Sequence, residues 1–237
     1  MDKRSRIIQG NMSIHKGRRI SKQKYSVILR SFIADVPASK ASKIARVSRV
    51  TADRYYNMFR KLIIQAALQE RKDIQLKNGI EIDESYFGPT RIRGKRGRGA
   101  SKKIIVLGLL KRHGKVYTQI INKAAQKELL PIIRKVVQSG ADIYTDGWKS
   151  YNALAIYGYN HKKVIHKKNE FVRDKNIHIN GVESFWAWAK KRLAQFNGIK
   201  KEFFGRYLLE SEWRFNHRDT LHKDMVKLIR SKSKLLK

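Results

Sequence analysis

The sequence predicts an α/β chain, a mixed β-sheet flanked by helices and preceded by an all-helical segment. Three observations predict it. The hydrophobic period is helical up to about residue 72 and alternates like a strand from Gly79. From there, strand and helix patterns follow in the order β-β-β-α-β-α-β-α. The 237 residues are 41% hydrophobic and 10% aromatic, which excludes a disordered basic tail. A chain of this size buries about 70% of its unfolded surface.

In the helical segment, Tyr25, Ile28, Leu29, Phe32 and Ile33 fall on one apolar helical face, and Pro37 interrupts it. A short helix is expected over 39–45, with Ile44 and Ala45 inward. Arg46-Val47-Ser48-Arg49 has room for a turn. A longer helix follows, with Ala52, Tyr55, Phe59, Leu62, Ile63 and Ala66 on one stripe. Short helix, tight turn, longer helix is the helix-turn-helix pattern. Arg49, Thr51 and Arg54 then face outward, suited to phosphates and base edges. The first 72 residues hold 18 basic and 4 acidic side chains, which favours DNA recognition over a plain three-helix unit with a solvated basic face.

The strand that opens the second part is GIEIDESYFG at 79–88. KIIVLGLL at 103–110 and VYTQII at 116–121 are the next two, separated by a His113-Gly114 turn. A helix is expected in AAQKELLPIIRKVVQSG, late-starting or kinked at Pro131. ADIYTD at 141–146 is a fourth strand, a helix is expected over 149–157, and a basic strand near 163–165. A strong helix over about 181–196 comes next, then more helix to the end. Three strands on short turns are antiparallel neighbours, and the later strands join by right-handed crossovers. This order matches the ribonuclease-H-like fold.

Lys and Arg number 54 and Asp and Glu 19, a net charge of +35. Such an excess points to a polyanionic partner, nucleic acid first and an anionic membrane surface second. The absence of cysteine excludes disulfides and thiolate zinc sites. No apolar run approaches the roughly 20 residues needed to span a bilayer, and the N-terminus lacks an apolar signal core. The protein is expected in the cytoplasm, associated with the nucleoid.

Carboxylates are scarce, so their positions inform. Asp83 lies mid-strand, Asp146 ends the fourth strand, and Glu183 opens the late helix. In a ribonuclease-H-like sheet the first and fourth strands are adjacent and the late helix packs across them, so the three acids converge. Hard divalent cations would neutralise them and could promote phosphodiester cleavage. Each has a plainer reading: Asp146-Gly147 as a turn, Asp83 and Glu84 as surface residues of an edge strand, Glu183 and Asn180 as a helix cap. On the late helix, Asn180, Glu183, Ala187 and Lys190 form one stripe beside the buried stripe of Val182, Phe185, Trp186, Ala189, Leu193 and Phe196. Lys190 is thereby placed for a phosphate beside the acids. The segment 88–103 carries seven basic residues and no acid. Its Arg91, Arg93, Lys95, Arg96 and Arg98 are candidate DNA contacts in a glycine-rich hairpin loop. His161, His166 and His178 have no zinc-ligand spacing.

IDESYFG at 82–88, GLLKRHGKVYT at 108–118, YTDGWKSY at 144–151, HINGVESFW at 178–186 and EWRFNHR at 212–218 resemble the D-D-E transposases of small bacterial insertion sequences. The resemblance implies a ribonuclease-H-like catalytic core and Mg²⁺ dependence, with two ions and Mn²⁺ as a substitute. It implies double-stranded DNA as partner, both the element's terminal inverted repeats and target DNA, and action as a homodimer or higher homo-oligomer. By motif position it implies Asp83, Asp146 and Glu183 as metal-binding triad and Lys190 as associated basic residue, with Asn180 the alternative third ligand. Related branches carry an N-terminal zinc ribbon, which this cysteine-free chain cannot form. The expected division is a helix-turn-helix domain over 1–75, a catalytic domain over 76–200 and a basic helical extension over 201–237. Two other functions fit the same residues, a structure-selective nuclease and a non-catalytic DNA-binding regulator.

Overall fold

The structure is a computed structural model that describes residues 20–88, 103–147, 149–164, 178–196 and 198–234. Their contacts divide them into two compact units. One takes in the residues up to Ile63 with those from Leu221 onward, the other Ile64–Thr220.

The first unit contains α1 (Lys22–Ile33), α2 (Ala38–Ile44), most of α3 (Arg49–Glu70) and α7 (Leu221–Lys234). Ser21 caps α1 by accepting from the Lys24 amide at 3.3 Å. Ile28 and Phe32 are fully buried, with Phe32 edge-on to Tyr56. On α2 the buried stripe is Ala38, Ala41, Ser42 and Ala45, spaced i, i+3, i+4, i+7. Ile44 falls off that stripe and is 61% exposed, contrary to the sequence expectation. On α3 Tyr56, not Tyr55, occupies the core beside Ala52, Phe59 and Ile63, and its hydroxyl donates to the Val36 carbonyl at 2.8 Å. The turn between α2 and α3 forms without glycine because Arg46 itself takes a left-handed conformation, φ 50°. Such a residue costs about 1–2 kcal/mol. The Lys24 ammonium donates to its carbonyl at 3.0 Å.

The second unit is built on a five-stranded sheet of β1 (Ile80–Phe87), β2 (Ile104–Lys111), β3 (Val116–Ile121), β4 (Asp142–Asp146) and β5 (Asn160–Val164). The strands lie in the order β3-β2-β1-β4-β5. The first three are antiparallel neighbours, and β4 and β5 join parallel to β1. This is the ribonuclease-H-like arrangement that the element order predicts. β1 is its central strand, so the plainer reading of Asp83 and Glu84 as edge-strand surface residues is overturned.

Alternation divides the sheet's side chains between two cores. Ile80, Ile82, Leu107, Leu109 and Ile143 face α4 (Gln126–Val136), through Leu129, Ile133 and Val136. Phe87, Val106, Leu110 and Tyr144 face α5 (Asn180–Ala194) and α6 (Lys201–Asn216), through Val182, Phe185, Trp186, Phe204 and Leu208. Pro131 sits inside α4, which starts at Gln126. The helix expected over 149–157 is a 3₁₀ turn, Lys149–Leu154. Its six residues bury Tyr151 and Leu154, and the chain leaves it through Gly158 at φ 79°. The basic strand starts earlier than expected, at Asn160, because it pairs along the whole of β4.

The outer edge of β3 is closed by side chains of α6. Asn216 accepts from the Val116 amide at 2.8 Å and donates to its carbonyl at 2.9 Å. Glu212 accepts from the Thr118 amide and hydroxyl, both at 2.7 Å. Residues i and i+4 of a helix lie about 6 Å apart, near the two-residue repeat of a strand. One helix face therefore satisfies the strand edge as another strand would. Arg71 pairs with the buried Glu212 carboxylate and donates to the Thr118 carbonyl at 2.6 Å.

Candidate active site

The last pair joining β1 to β4 is Ile82 with Thr145. The next residue on each strand is Asp83 and Asp146, so the two carboxylates sit side by side where the parallel ladder ends. Asp83 alternates with Glu81 and Asp146 with Tyr144, which puts both on the face covered by α5. On β2, Gly108 pairs directly with Asp83. A Cβ there would meet the Trp186 ring at 2.4 Å, so only glycine allows the indole to lie over the strand beside Asp83.

Glu81 fixes α5 over these strands. Its carboxylate is buried and accepts from the Val182 amide at 2.9 Å, capping the helix from the sheet. Arg112 donates to its other oxygen at 3.0 Å and to the His178 carbonyl at 2.6 Å. Gly181 is required for the same reason, because a Cβ would come within 2.8 Å of the Glu81 carboxylate. The helix starts at Asn180 with Ile179 as its cap residue and no side-chain cap bond. The cap read for Asn180 is thus corrected: a glutamate of β1 takes that role. His178 stands 3.5 Å from Glu81, and His161 bonds the Thr145 hydroxyl at 2.8 Å. His166 lies outside the described residues.

Glu183 is in the first turn of α5 and exposed. Asn180, Ala187 and Lys190 share its exposed stripe, as the helical spacing predicts. The Lys190 ammonium lies 5.8 Å from the centre of the Phe87 ring, two residues along the same face from Ser85 and four from Asp83. Asp83 registers all of these groups. Burial pushes its carboxyl up to about 6, the Asp146 and Glu183 carboxylates push the same way, and the Glu84 backbone and Lys190 oppose them. Among the described residues no three His, Asp or Glu side chains lie close enough together to hold a metal ion as they stand.

Sequence reasoning missed three parts of this site. Glu81 docks the helix, Gly108 admits Trp186, and Glu84 lies on the opposite face with its carboxylate accepting from the buried Tyr151 hydroxyl. Burial pushes the Glu84 carboxyl up to about 7, with Tyr151 opposing and Asp83 and Asp146 adding to the rise. The signal available for Glu81 and Glu84 was their place in a strand that the order put at the sheet's centre.

Of the DNA contacts expected in the first unit, Arg49 is exposed and pairs with Asp53 at 2.8 Å. Thr51 shares a hydroxyl bond with Ser48 at 2.9 Å, while Ser48 accepts from the Thr51 amide and caps α3. Arg54 is exposed. Arg91, Arg93, Lys95, Arg96 and Arg98 lie outside the described residues.

Residues 75–216 match the ISXO2-like transposase domain family. The chain belongs to that family. Its transposase domain therefore spans the whole sheet, α5 and α6. An uncharacterized transposase-like protein of Haemophilus influenzae is 43% identical over 103 residues, 44% of this chain and 82% of that protein. An uncharacterized protein in transposable element ISH50 of Halobacterium salinarum is 28% identical over 149 residues, 56% of this chain and half of that protein's length. Among solved structures, the Mos1 transposase paired-end complex with left transposon end aligns over 93% of this chain and 82% of its own, at 12% identity and a TM-score of 0.32. The Mos1 strand transfer complex aligns over 93% and 81%, at 13% identity and a TM-score of 0.27. No described helix of this transposase-family chain is long and apolar enough to cross a membrane.

Proposed function

We propose that the chain is an insertion-sequence transposase that cuts DNA at its element's terminal inverted repeats and joins the ends to target DNA. The observation that carries this reading is the placing of Asp83 and Asp146 side by side beneath the helix that bears Glu183. The raised Asp83 carboxyl supports it, since Asp146 and Glu183 both contribute to that rise. Anionic oxygen donors on three elements suit a hard divalent cation such as Mg²⁺, with Mn²⁺ as a substitute. Mg²⁺ keeps several waters and is bound by one or two carboxylates together with substrate phosphates, so no closed protein cage is required of the free chain. When bound, a pair of such ions supplies a nucleophile at neutral pH and charge stabilisation on the leaving oxygen.

In this reading Asp83 and Asp146 are held by the sheet and Glu183 by the helix that Glu81 caps. Lys190, on the Glu183 stripe, binds the DNA phosphate beside them. The first 75 residues recognise the repeat ends, through Arg49, Thr51 and Arg54 on α3. Residues 76–200 carry the chemistry, and a homodimer or larger assembly brings two ends together on DNA.

The test is purified protein with Mg²⁺ and labelled DNA ending in the cognate repeat. Joined products are expected, and Asp83→Asn and Asp146→Asn should bind the ends without cutting them. Cleavage without joining would replace the reading by a structure-selective nuclease. Binding without cleavage by the wild type would replace it by a DNA-binding regulator.

A further inference from the structure

The carboxylates of the proposed site lie beyond the end of the ladder that would otherwise space them. Pairing of β1 with β4 stops at Ile82 and Thr145, so Asp83 and Asp146 lie one residue past its last pair, and each keeps only its outer strand partner, Gly108 on β2 and Val164 on β5. On the opposite face of the sheet a different connection spans the same gap. Tyr151, fully buried, donates its hydroxyl to Glu84, the neighbour of Asp83. Tyr151 belongs to the 3₁₀ turn that leaves the end of β4, five residues after Asp146. The next residue back, Ser150, donates to the Ala124 carbonyl at 3.0 Å and pins the same turn to the segment before α4.

We infer that the Tyr151–Glu84 hydrogen bond is a tie that sets the separation of Asp83 and Asp146, making both its members positioning residues for divalent cation binding. This rests on the reading of Asp83 and Asp146 as cation ligands. Glu84 does not reach the cation in this arrangement, because strand alternation turns it to the far face. Its half-buried carboxylate instead accepts from the fully buried Tyr151 hydroxyl, and a hydrogen bond to a carboxylate holds its donor firmly. The pair accounts for two motif positions that the carboxylate triad leaves without a role, the glutamate of IDESYFG and the last tyrosine of YTDGWKSY.

The test is Mn²⁺ binding to the whole chain without DNA, followed by calorimetry and by the paramagnetic resonance of free Mn²⁺, with the melting temperature measured in parallel. Outer partners of metal ligands typically contribute about 10–100-fold in affinity. Tyr151→Phe keeps the ring and should lose at least about tenfold in Mn²⁺ affinity. Glu84→Ala should lose as much, whereas Glu84→Gln, which still offers an oxygen to the hydroxyl, should stay near wild type. The double variant Tyr151→Phe/Glu84→Ala should be no worse than either single one, as expected for two halves of one contact. Wild-type affinity in Tyr151→Phe, with or without a lower melting temperature, overturns the proposal. If Tyr151→Phe does not fold, equal losses in Glu84→Gln and Glu84→Ala overturn it. A wild-type chain that binds no Mn²⁺ removes the metal-site reading itself, and the tie with it.

Discussion

Glu183 and Asn180 lie one turn apart on an exposed stripe, and they separate chemistry from structure. Glu183→Gln removes one charge without changing shape and should abolish cleavage and joining at the repeat ends. Because the position is exposed, stability should change by no more than about 0.5 kcal/mol. Binding to the ends should hold or tighten slightly, as a negative charge near DNA is gone. Asn180→Ala should be mild, because the helix cap comes from Glu81 rather than from Asn180. A dead Asn180→Ala beside an active Glu183→Gln in the joining assay would move the third ligand back by one turn.

Asp83 also makes a pH prediction for the metal-free chain. Its folded carboxyl titrates near 6, above the ordinary aspartate value, with burial the first cause. A raised folded value means stability that is present below about pH 4 and lost as pH rises toward 6. The loss is on the order of 3 kcal/mol. Asp83→Asn should therefore stabilise the cation-free protein, with a gain that grows between pH 4 and pH 7 in urea unfolding. A gain that does not change with pH would show that the Asp83 carboxyl is not held neutral in the folded chain.

At the scale of elements, the closure of β3 by α6 explains the EWRFNHR motif without catalysis. Glu212 and Asn216 fall four apart because they serve the Thr118 and Val116 backbone. Glu212→Ala leaves Arg71 without its buried partner and should destabilise the chain by about 3–5 kcal/mol. Asn216→Ala leaves one buried amide unmet, at a cost of about 1–3 kcal/mol. Hydrogen exchange checks both, since the Val116 and Thr118 amides should lose protection before those of β1.

The elements were legible where a run was long and periodic. The three-strand meander, β4 and the late helix all stand within a residue or two of where the period puts them. Short segments were not. Seven residues of α2 gave no way to tell that Ala38, Ala41 and Ser42 would be buried and Ile44 exposed. The 3₁₀ turn read as α-helix because Tyr151 and Leu154, three apart, satisfy either pitch. The triad was legible because carboxylates are rare in so basic a chain and the element order forces β1 beside β4. Glu81, Glu84 and Gly108 were not, because their meaning depends on what packs over a strand: a helix end, a tyrosine hydroxyl, an indole.

At the scale of the whole molecule, a net charge of +35 dominates. If it serves phosphate binding, affinity for DNA should fall by about 10³-fold or more between 50 and 200 mM salt, as for six or more phosphate contacts. Filter binding or fluorescence anisotropy across that range measures the slope. A flat dependence would remove nucleic acid as the partner.

The strand order also fixes a sequence of events during synthesis. β1, β2 and β3 join as neighbours along the chain and can close soon after they emerge. Asp83 then waits for β4, because Ile80 finds its parallel partner only at Ile143. Glu183 emerges another 40 residues after Ile143. On the ribosome the chain is thus a polycation with an open edge on its central strand for much of its translation, and its acids come together last.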